Sequence, residues 1–187
     1  MPELPEAETI VRGLRPAVVG RTIARAQVIH PDVLRASVRS FAASVRGRRI
    51  LAVGRRGKNV LLELDAGRVL AVNLGMTGRL LPFSAPPPPE RAPTHPAVRL
   101  SFASGETLVF DDTRRFGTVE CLSAEVWLER SARMGPEPLD PAFTAEALHG
   151  ALRASRAPVR SWLLDQRRIA GVGNIYAAEA LHLARIH

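Results

Sequence analysis

ILAVGRRGKNVLLELDAGRVLAVN, residues 50–73, sets the architecture of the chain. Three short apolar runs, Ile50–Val53, Val60–Leu64 and Val69–Asn73, are cut by two turn signals. One turn is Arg55-Arg56-Gly57-Lys58-Asn59 and the other is Asp65-Ala66-Gly67. Runs of four to six residues rich in Val, Leu and Ile, bounded by Gly, Asn and Asp, read as strands joined by hairpins. The same pattern recurs at Val98–Phe102, Thr107–Phe110 (after Ser104-Gly105) and Thr118–Leu122, and residues 22–29 alternate like another strand. Short strands at this spacing predict a β-sandwich or barrel.

Helical patterns flank the strands. Over residues 3–19, Ile10, Val11, Leu14 and Val18 share one face. Pro5 suits a first turn, where the missing N–H costs nothing. Glu3, Glu6 and Glu8 suit the positive end of the helix dipole, and Pro16 is expected to end or kink the helix. Val38, Phe41, Ala42 and Val45 predict a short helix over 36–46, stopped at Gly47. Beyond Ser123 the pattern turns helical, over 123–130, 143–154, 158–166 and 174–185. Pro158 fits a first turn and Asn174 the N-cap position. Residues 84–96, SAPPPPERAPTHP, read as an exposed, partly extended loop. The expected class is α+β: an N-terminal β-sandwich domain with flanking helices over 1–132, then a helical domain over 133–187.

Composition narrows the function classes. The 187 residues are 46% hydrophobic and 24% charged, ordinary for a globular protein and unlike a disordered one. No apolar run approaches the ~20 residues of a membrane helix, and MPELPEAE is not a signal peptide. A single cysteine, Cys121, excludes an internal disulfide framework and reads as a small buried hydrophobe. The five histidines show no metal-ligand spacing, and a reducing cytoplasm is the expected home. The net charge of +8 favours a polyanion partner, nucleic acid first and acidic membrane second. Of the 26 basic residues, 25 are arginine and one, Lys58, is lysine. A coding bias toward Arg and Ala accounts for most of that excess. It also makes the one position that keeps a compact, tunable ammonium conspicuous.

Four places could carry chemistry, each with a plainer alternative. With Met1 removed, Pro2 presents a secondary amine that can attack a sugar aldehyde carbon and form an iminium, an electron sink for β-elimination. Glu3 and Glu6 beside it could move protons, or the segment is simply a helix start. Arg55, Arg56 and Lys58 could form a phosphate clamp or a solvated hairpin. Met76 in LGMTG (74–78) and Phe116 in DDTRRFG (111–117) could wedge between base steps or pack in a core. Gly171-Val172-Gly173-Asn174 could form an amide nest that grips a DNA phosphate, or an ordinary helix start.

Taken together and in order, MPELPEAETIVRGL, RRGKNVLLEL, LGMTGRL, DDTRRFG, MGPEPLD and LLDQRRIAGVGNIYAAEALHLARIH resemble the bifunctional formamidopyrimidine-DNA glycosylases. The resemblance implies excision of oxidised purines, such as 8-oxoguanine and formamidopyrimidines, from duplex DNA. It implies that Pro2 attacks the sugar C1′, that Glu3 assists ring opening and that Glu6 supports the amine. Lys58 would contact phosphates around the lesion, and strand cleavage would follow by β,δ-elimination. Met76, Arg114 and Phe116 match residues that fill the gap left by a flipped-out nucleotide. Asn174 matches a phosphate ligand of a helix–two-turn–helix element. Leu4-Pro5 favours the purine-lesion branch over the endonuclease VIII branch.

Family members continue into a zinc finger built from four cysteines. The resemblance therefore implies the front two-thirds of a longer protein, with no metal site in these residues and Zn2+ in the remainder. It implies a monomeric, cytoplasmic, nucleoid-associated bacterial enzyme whose partner is damaged or abasic duplex DNA, not membrane. The alternative is a damaged-DNA-binding module with weak or no catalysis. Asn73 stands where the family often has His, and Ala97 replaces a second histidine.

Overall fold

A computed structural model describes residues 2–186. Met1, whose removal the Pro2 chemistry needs, and His187, the end of the last expected helix, lie outside the described residues.

Two four-stranded antiparallel sheets pack face to face. One has the order β2 (Ile50–Arg56), β3 (Asn59–Leu64), β4 (Arg68–Asn73), β8 (Thr118–Ser123). The other has the order β1 (Ile23–Val28), β6 (Pro96–Phe102), β7 (Thr107–Asp111), β5 (Arg79–Phe83). The central strands are buried on nearly every residue, and Leu62, Leu70, Val72, Val98, Leu108 and Phe110 meet in one core between the sheets. Such packing leaves strand edges that must be covered. Helix α1 (Leu4–Val18) packs along β2 and β5, and α2 (Val38–Val45) packs along β1 and β8, so a helix caps the sandwich on each side.

Helix α1 buries Leu4, Ala7, Val11, Leu14 and Val18. Pro16 lies inside its last turn rather than ending it, and the helix stops two residues later. Strand β5 is absent from the sequence expectation. Pro82 lies within it, and proline demotes a run as a candidate strand. The strand survives because it is an edge, where one missing N–H is tolerated.

After β8 come α3 (Ala124–Ala132), α4 (Ala145–Arg153), α5 (Val159–Leu164) and α6 (Asn174–Leu183). Ser123 and Thr144 cap α3 and α4 with their hydroxyls. Pro158 is the N-cap of α5 rather than a first-turn residue. Trp162, Leu163, Ile169 and Ala177 form a second, smaller core among the C-terminal helices. Asn174 is the first residue of α6; Gly173 takes the N-cap position, for a reason found at the other end of the chain.

Candidate active site and DNA-facing loops

Glu3 is completely buried. Its Oε1 accepts from the Ile175 N–H at 2.9 Å, and its Oε2 accepts from Gly173 N–H at 2.8 Å and Tyr176 N–H at 3.2 Å. The first turn of α6 is thus capped by a carboxylate from a residue about 170 positions away. This satisfies orphan donors that a local Asn or Ser would normally take, which is why Asn174 is free of that duty. The amide nest at 171–174, expected to grip a DNA phosphate, is filled in this structure by Glu3. Gly173 is required there, because a Cβ would collide with the Glu3 carboxyl group. The pairing continues through the backbone: Leu4 N–H donates to the Gly171 carbonyl at 3.0 Å.

The neighbouring carboxylate is tied in the same way. Glu6 Oε2 accepts the Glu3 N–H at 2.9 Å, and Glu6 Oε1 accepts the Tyr176 hydroxyl at 3.1 Å. Burial opposes ionisation of Glu6, but these hydrogen bonds outweigh it and hold its pKa below the ordinary value. The same bond pushes the Tyr176 hydroxyl up. The residue that follows Pro2 is therefore fixed to α6 through its side chain and to Glu6 through its backbone N–H.

The Arg55–Asn59 turn does not display three cations. Arg55 reaches Glu8 at 3.2 Å and also pairs with Glu137. Arg56 pairs with Glu137 at 2.8 Å and donates to the carbonyls of Ser131, Met134 and Gly135. Gly57 N–H donates to Glu137 Oε1 at 2.6 Å. Both arginines converge on one half-buried carboxylate and on neighbouring carbonyls, so both are used inside the fold. Burial tends to raise the Glu137 pKa, but the Gly57 N–H and both guanidinium groups more than reverse it.

Lys58 has no carboxylate within 4.0 Å among the described residues. Partial burial lowers its pKa, against the opposing pull of the Glu3 charge. Glu3 itself is joined to Glu6 and Tyr176 by hydrogen bonds. Sequence reading passes over Glu137, Gln166 and Tyr176. Gln166 holds the Gly171 N–H at 2.9 Å and donates to the Val172 carbonyl at 2.8 Å. The spacing of MGPEP and DQRR gives no chemical cue to these roles.

The two glycine-flanked loops lie against each other. Buried Asp112 accepts from the Thr77 hydroxyl at 2.5 Å and from Gly117 N–H at 2.8 Å, and Thr77 Oγ1 accepts the Arg114 N–H at 3.0 Å. Gly75, at φ +57°, presses on the Phe116–Gly117 backbone, where a Cβ would come within 2.6 Å of the Phe116 carbonyl carbon. On this polar anchor Met76 and Phe116 are 39% and 58% exposed. Neither packs in the core. The Arg114 guanidinium stacks over the Phe116 ring at 4.6 Å. Asn73 accepts the Gly75 N–H at 3.0 Å and donates to Asn59 at 3.1 Å, so this departure from the usual histidine remains hydrogen-bonded. Asn174 Oδ1 accepts from Arg160 at 2.6 Å on the exposed face of α6.

Comparison with known proteins agrees with this arrangement. Residues 1–119 match the formamidopyrimidine-DNA glycosylase N-terminal domain, and residues 134–187 match the H2TH domain of the same enzymes. The chain belongs to the formamidopyrimidine-DNA glycosylase family. It is 50% identical to the formamidopyrimidine-DNA glycosylase of Chloroflexus aggregans and 47% identical to that of Moorella thermoacetica. Both alignments take in all of this chain, with 67% and 68% of those proteins. The chain therefore spans about two thirds of the length of its curated relatives.

Among solved structures, Lactococcus lactis Fpg in complex with abasic-site DNA superposes with a TM-score of 0.88 at 32% identity, over 99% of this chain and 68% of that one. The wild-type Lactococcus lactis protein bound to DNA containing N7-benzyl-Fapy-dG superposes with a TM-score of 0.89, also at 32% identity, over 100% and 68%. The zinc expected from the resemblance has no ligand set among the described residues. No helix among them is long and apolar enough to cross a membrane.

Proposed function

We propose that the protein excises oxidised purines from duplex DNA and cleaves the resulting abasic site, with Pro2 as nucleophile. The observation that carries this reading is the anchoring of Glu3 and Glu6, the carboxylates next to Pro2 in the chain, to the first turn of α6. A nucleophile must be held within a few tenths of an ångström of its attack line, and hydrogen bonds from a rigid helix do this for the second residue of a chain.

In this reading Met1 is removed and the Pro2 nitrogen lone pair attacks C1′ of the damaged nucleotide. The C1′–N bond breaks and the base leaves with that electron pair. Ring opening places a proton on O4′, delivered through Glu3, and yields an iminium at C1′. The iminium accepts the electrons released when a C2′ proton is lost. The 3′ phosphate leaves by β-elimination and the 5′ phosphate by a second, δ, elimination. Water finally hydrolyses the iminium and returns the amine. Lys58, an ammonium with lowered pKa, holds lesion phosphates. Met76, Arg114 and Phe116 fill the vacated stack, offsetting the few kcal/mol that extrusion costs. Asn174 binds a backbone phosphate. We assign residues 1–132 to the catalytic domain and 133–187 to the helical DNA-binding domain, acting as a monomer.

Borohydride trapping on a duplex containing 8-oxoguanine tests the reading. A covalent complex at the N-terminal peptide is expected from Met1-processed protein, and Pro2→Gly should abolish it. The net charge of +8 suits equally a second reading, a damaged-DNA-binding module without turnover. That reading predicts salt-sensitive binding and no trapped adduct at any protein concentration.

A further inference from the structure

Between Asp32 and Glu63 the chain carries no acidic residue, yet it carries seven arginines and Lys58. Arg55 and Arg56 are neutralised by Glu137. The rest gather around α2. Elsewhere some arginines are matched by carboxylates, Arg12 by Glu8, Arg21 by Glu106, Arg79 by Asp111 and Arg130 by Glu120. Others among the described residues, such as Arg91, Arg133, Arg153 and Arg156, are not. What sets the α2 region apart is that Asp32 is the one acidic residue between Glu8 and Glu63. Here Arg25, Arg35, Arg39 and Arg46 are all exposed, and none has a carboxylate within 4.0 Å among the described residues. The acids nearest in the fold are engaged: Asp32 with Arg115 at 3.4 Å, Asp65 with Arg48 at 3.7 Å and Glu120 with Arg130 at 2.6 Å.

The shape suits a backbone ligand. Arg39, Ala43 and Arg46 share one face of α2, at i, i+4 and i+7. Arg25 and Arg46 border a groove of about 460 Å³ floored by Ala24, Ala26, Ala42 and Ala43. Alanines leave room for a phosphodiester chain to come close, and guanidinium forks bind phosphate oxygens in pairs.

The track is continuous with the wedge loop. Its start is joined to that loop by the Asp32–Arg115 pair and by the Leu34–Val119 bridge. It then follows β8 as far as Ser44, whose carbonyl lies 3.9 Å from the Cys121 sulfur. Along the β1 edge the reach is longer: His30, whose ring nitrogen lies 3.2 Å from Arg115, stands five residues from Arg25, roughly 17 Å of strand and the rise of about five base pairs at 3.4 Å each.

We propose that α2 and the adjoining edge of β1 form a second phosphate track that holds the duplex flanking the lesion on the Phe116 side. This rests on the reading that DNA enters at the Met76 and Phe116 loops. The test is equilibrium binding of the full chain to two abasic-analogue duplexes, of about 10 and about 30 base pairs, across a salt series. The variant is Arg25→Ala/Arg39→Ala/Arg46→Ala, whose side chains are exposed.

On the long duplex, the slope of log K against log salt should fall by about 2–3, at ~0.9 per lost phosphate contact. Arg39→Lys/Arg46→Lys should keep the slope, because a point charge suffices. The short duplex should bind all variants alike. An unchanged slope on the long duplex overturns the proposal, as does an equal loss on both lengths. Borohydride trapping on a short duplex carrying a true abasic site, whose C1′ aldehyde can form the iminium that the analogue cannot, separates the two readings. A wild-type protein that traps nothing but shows the length-dependent loss retains the track and loses the enzyme.

Discussion

Glu3→Gln should loosen α6 from the N-terminus while leaving the β-sandwich intact. The carboxylate accepts three N–H groups with two oxygens. A glutamine keeps one oxygen, and its best placement is at Oε2, where Gly173 and Tyr176 still donate. Its NH2 then faces the Ile175 N–H, leaving a buried donor against a donor. An unsatisfied buried group costs about 1–3 kcal/mol. Turning two charge-assisted bonds into neutral ones costs about 1 kcal/mol each. Loss of a negative charge at the positive end of α6 adds roughly 0.5 kcal/mol.

The total is about 3–5 kcal/mol, which for a chain of this size lowers Tm by about 6–20 °C. Glu3 is completely buried, so solvent cannot step in without further disruption. Thermal denaturation followed by circular dichroism measures the loss, and limited proteolysis should cut first near residues 165–175. A variant within 1 kcal/mol of wild type would refute the assignment of Glu3 as the cap of α6.

Three further outcomes follow from the same geometry. Glu137→Gln should cost about 1–3 kcal/mol, the range for charge-assisted hydrogen bonds lost from a half-buried carboxylate, and should flatten the acid limb of stability. The Glu137 pKa is lowered on folding, so its contribution is complete above the unfolded carboxylate pKa of about 4.3 and is lost as pH falls through the lower folded value. Urea titrations from pH 3 to 7 measure both effects. Gly75→Ala should cost about 2–3 kcal/mol, from the left-handed backbone and the clash with the Phe116–Gly117 chain. It should weaken lesion-duplex binding while leaving the Pro2 cluster intact, measured by anisotropy beside trapping. Lys58→Met should raise Tm and lower lesion-duplex affinity about tenfold, the loss of one charge-assisted contact. The stability gain follows because burial depresses the Lys58 pKa on folding. The protonated side chain thus destabilises the fold at neutral pH; that penalty begins to shrink as pH rises past the folded pKa and is gone only above the unfolded value of about 10.4.

The fold class could be read because each sandwich strand carries its own signal. Val60–Leu64 and Val69–Asn73 are β-branched and apolar enough to read alone, and both are buried central strands. Strand β5 carries Pro82, and only its edge position makes that tolerable, a fact of topology and not of local sequence. At the site, Met76 and Phe116 could be chosen by residue type, but their exposure could not. It depends on Asp112, Thr77 and Gly75 clamping two loops more than 30 positions apart. The displaced cap shows the same limit. Asn174 sits beside a glycine in the ordinary capping pattern, and nothing local says that a carboxylate from residue 3 will occupy its place. Arg55 and Arg56 look like free cations until Glu137 is brought to them.

The long-range cap also constrains how the chemistry can assemble. Pro2 has no helix or strand of its own to hold it; its anchors are Glu3, Leu4 and Glu6. Each of these bonds to the segment 171–176: Glu3 to three amides, Leu4 to the Gly171 carbonyl, Glu6 to the Tyr176 hydroxyl. The turn bearing Lys58 is held by Glu137, which also lies beyond the sandwich. The sandwich can bury its core without any of these contacts, because that core is drawn from residues 7–119. In the proposed mechanism, the Pro2 amine and Lys58 therefore reach working geometry only when the C-terminal helices dock. Docking releases the N-terminal dipole of α6 into a carboxylate rather than into solvent. A substitution at Gly173 should therefore act on the amine from the far end of the chain: Gly173→Ala collides with the Glu3 carboxyl group. It should reduce trapping at Pro2 as severely as Glu3→Gln does, with the near-ultraviolet signal of the sandwich unchanged. Trapping at the wild-type rate in Gly173→Ala would show that Pro2 is positioned by the sandwich alone.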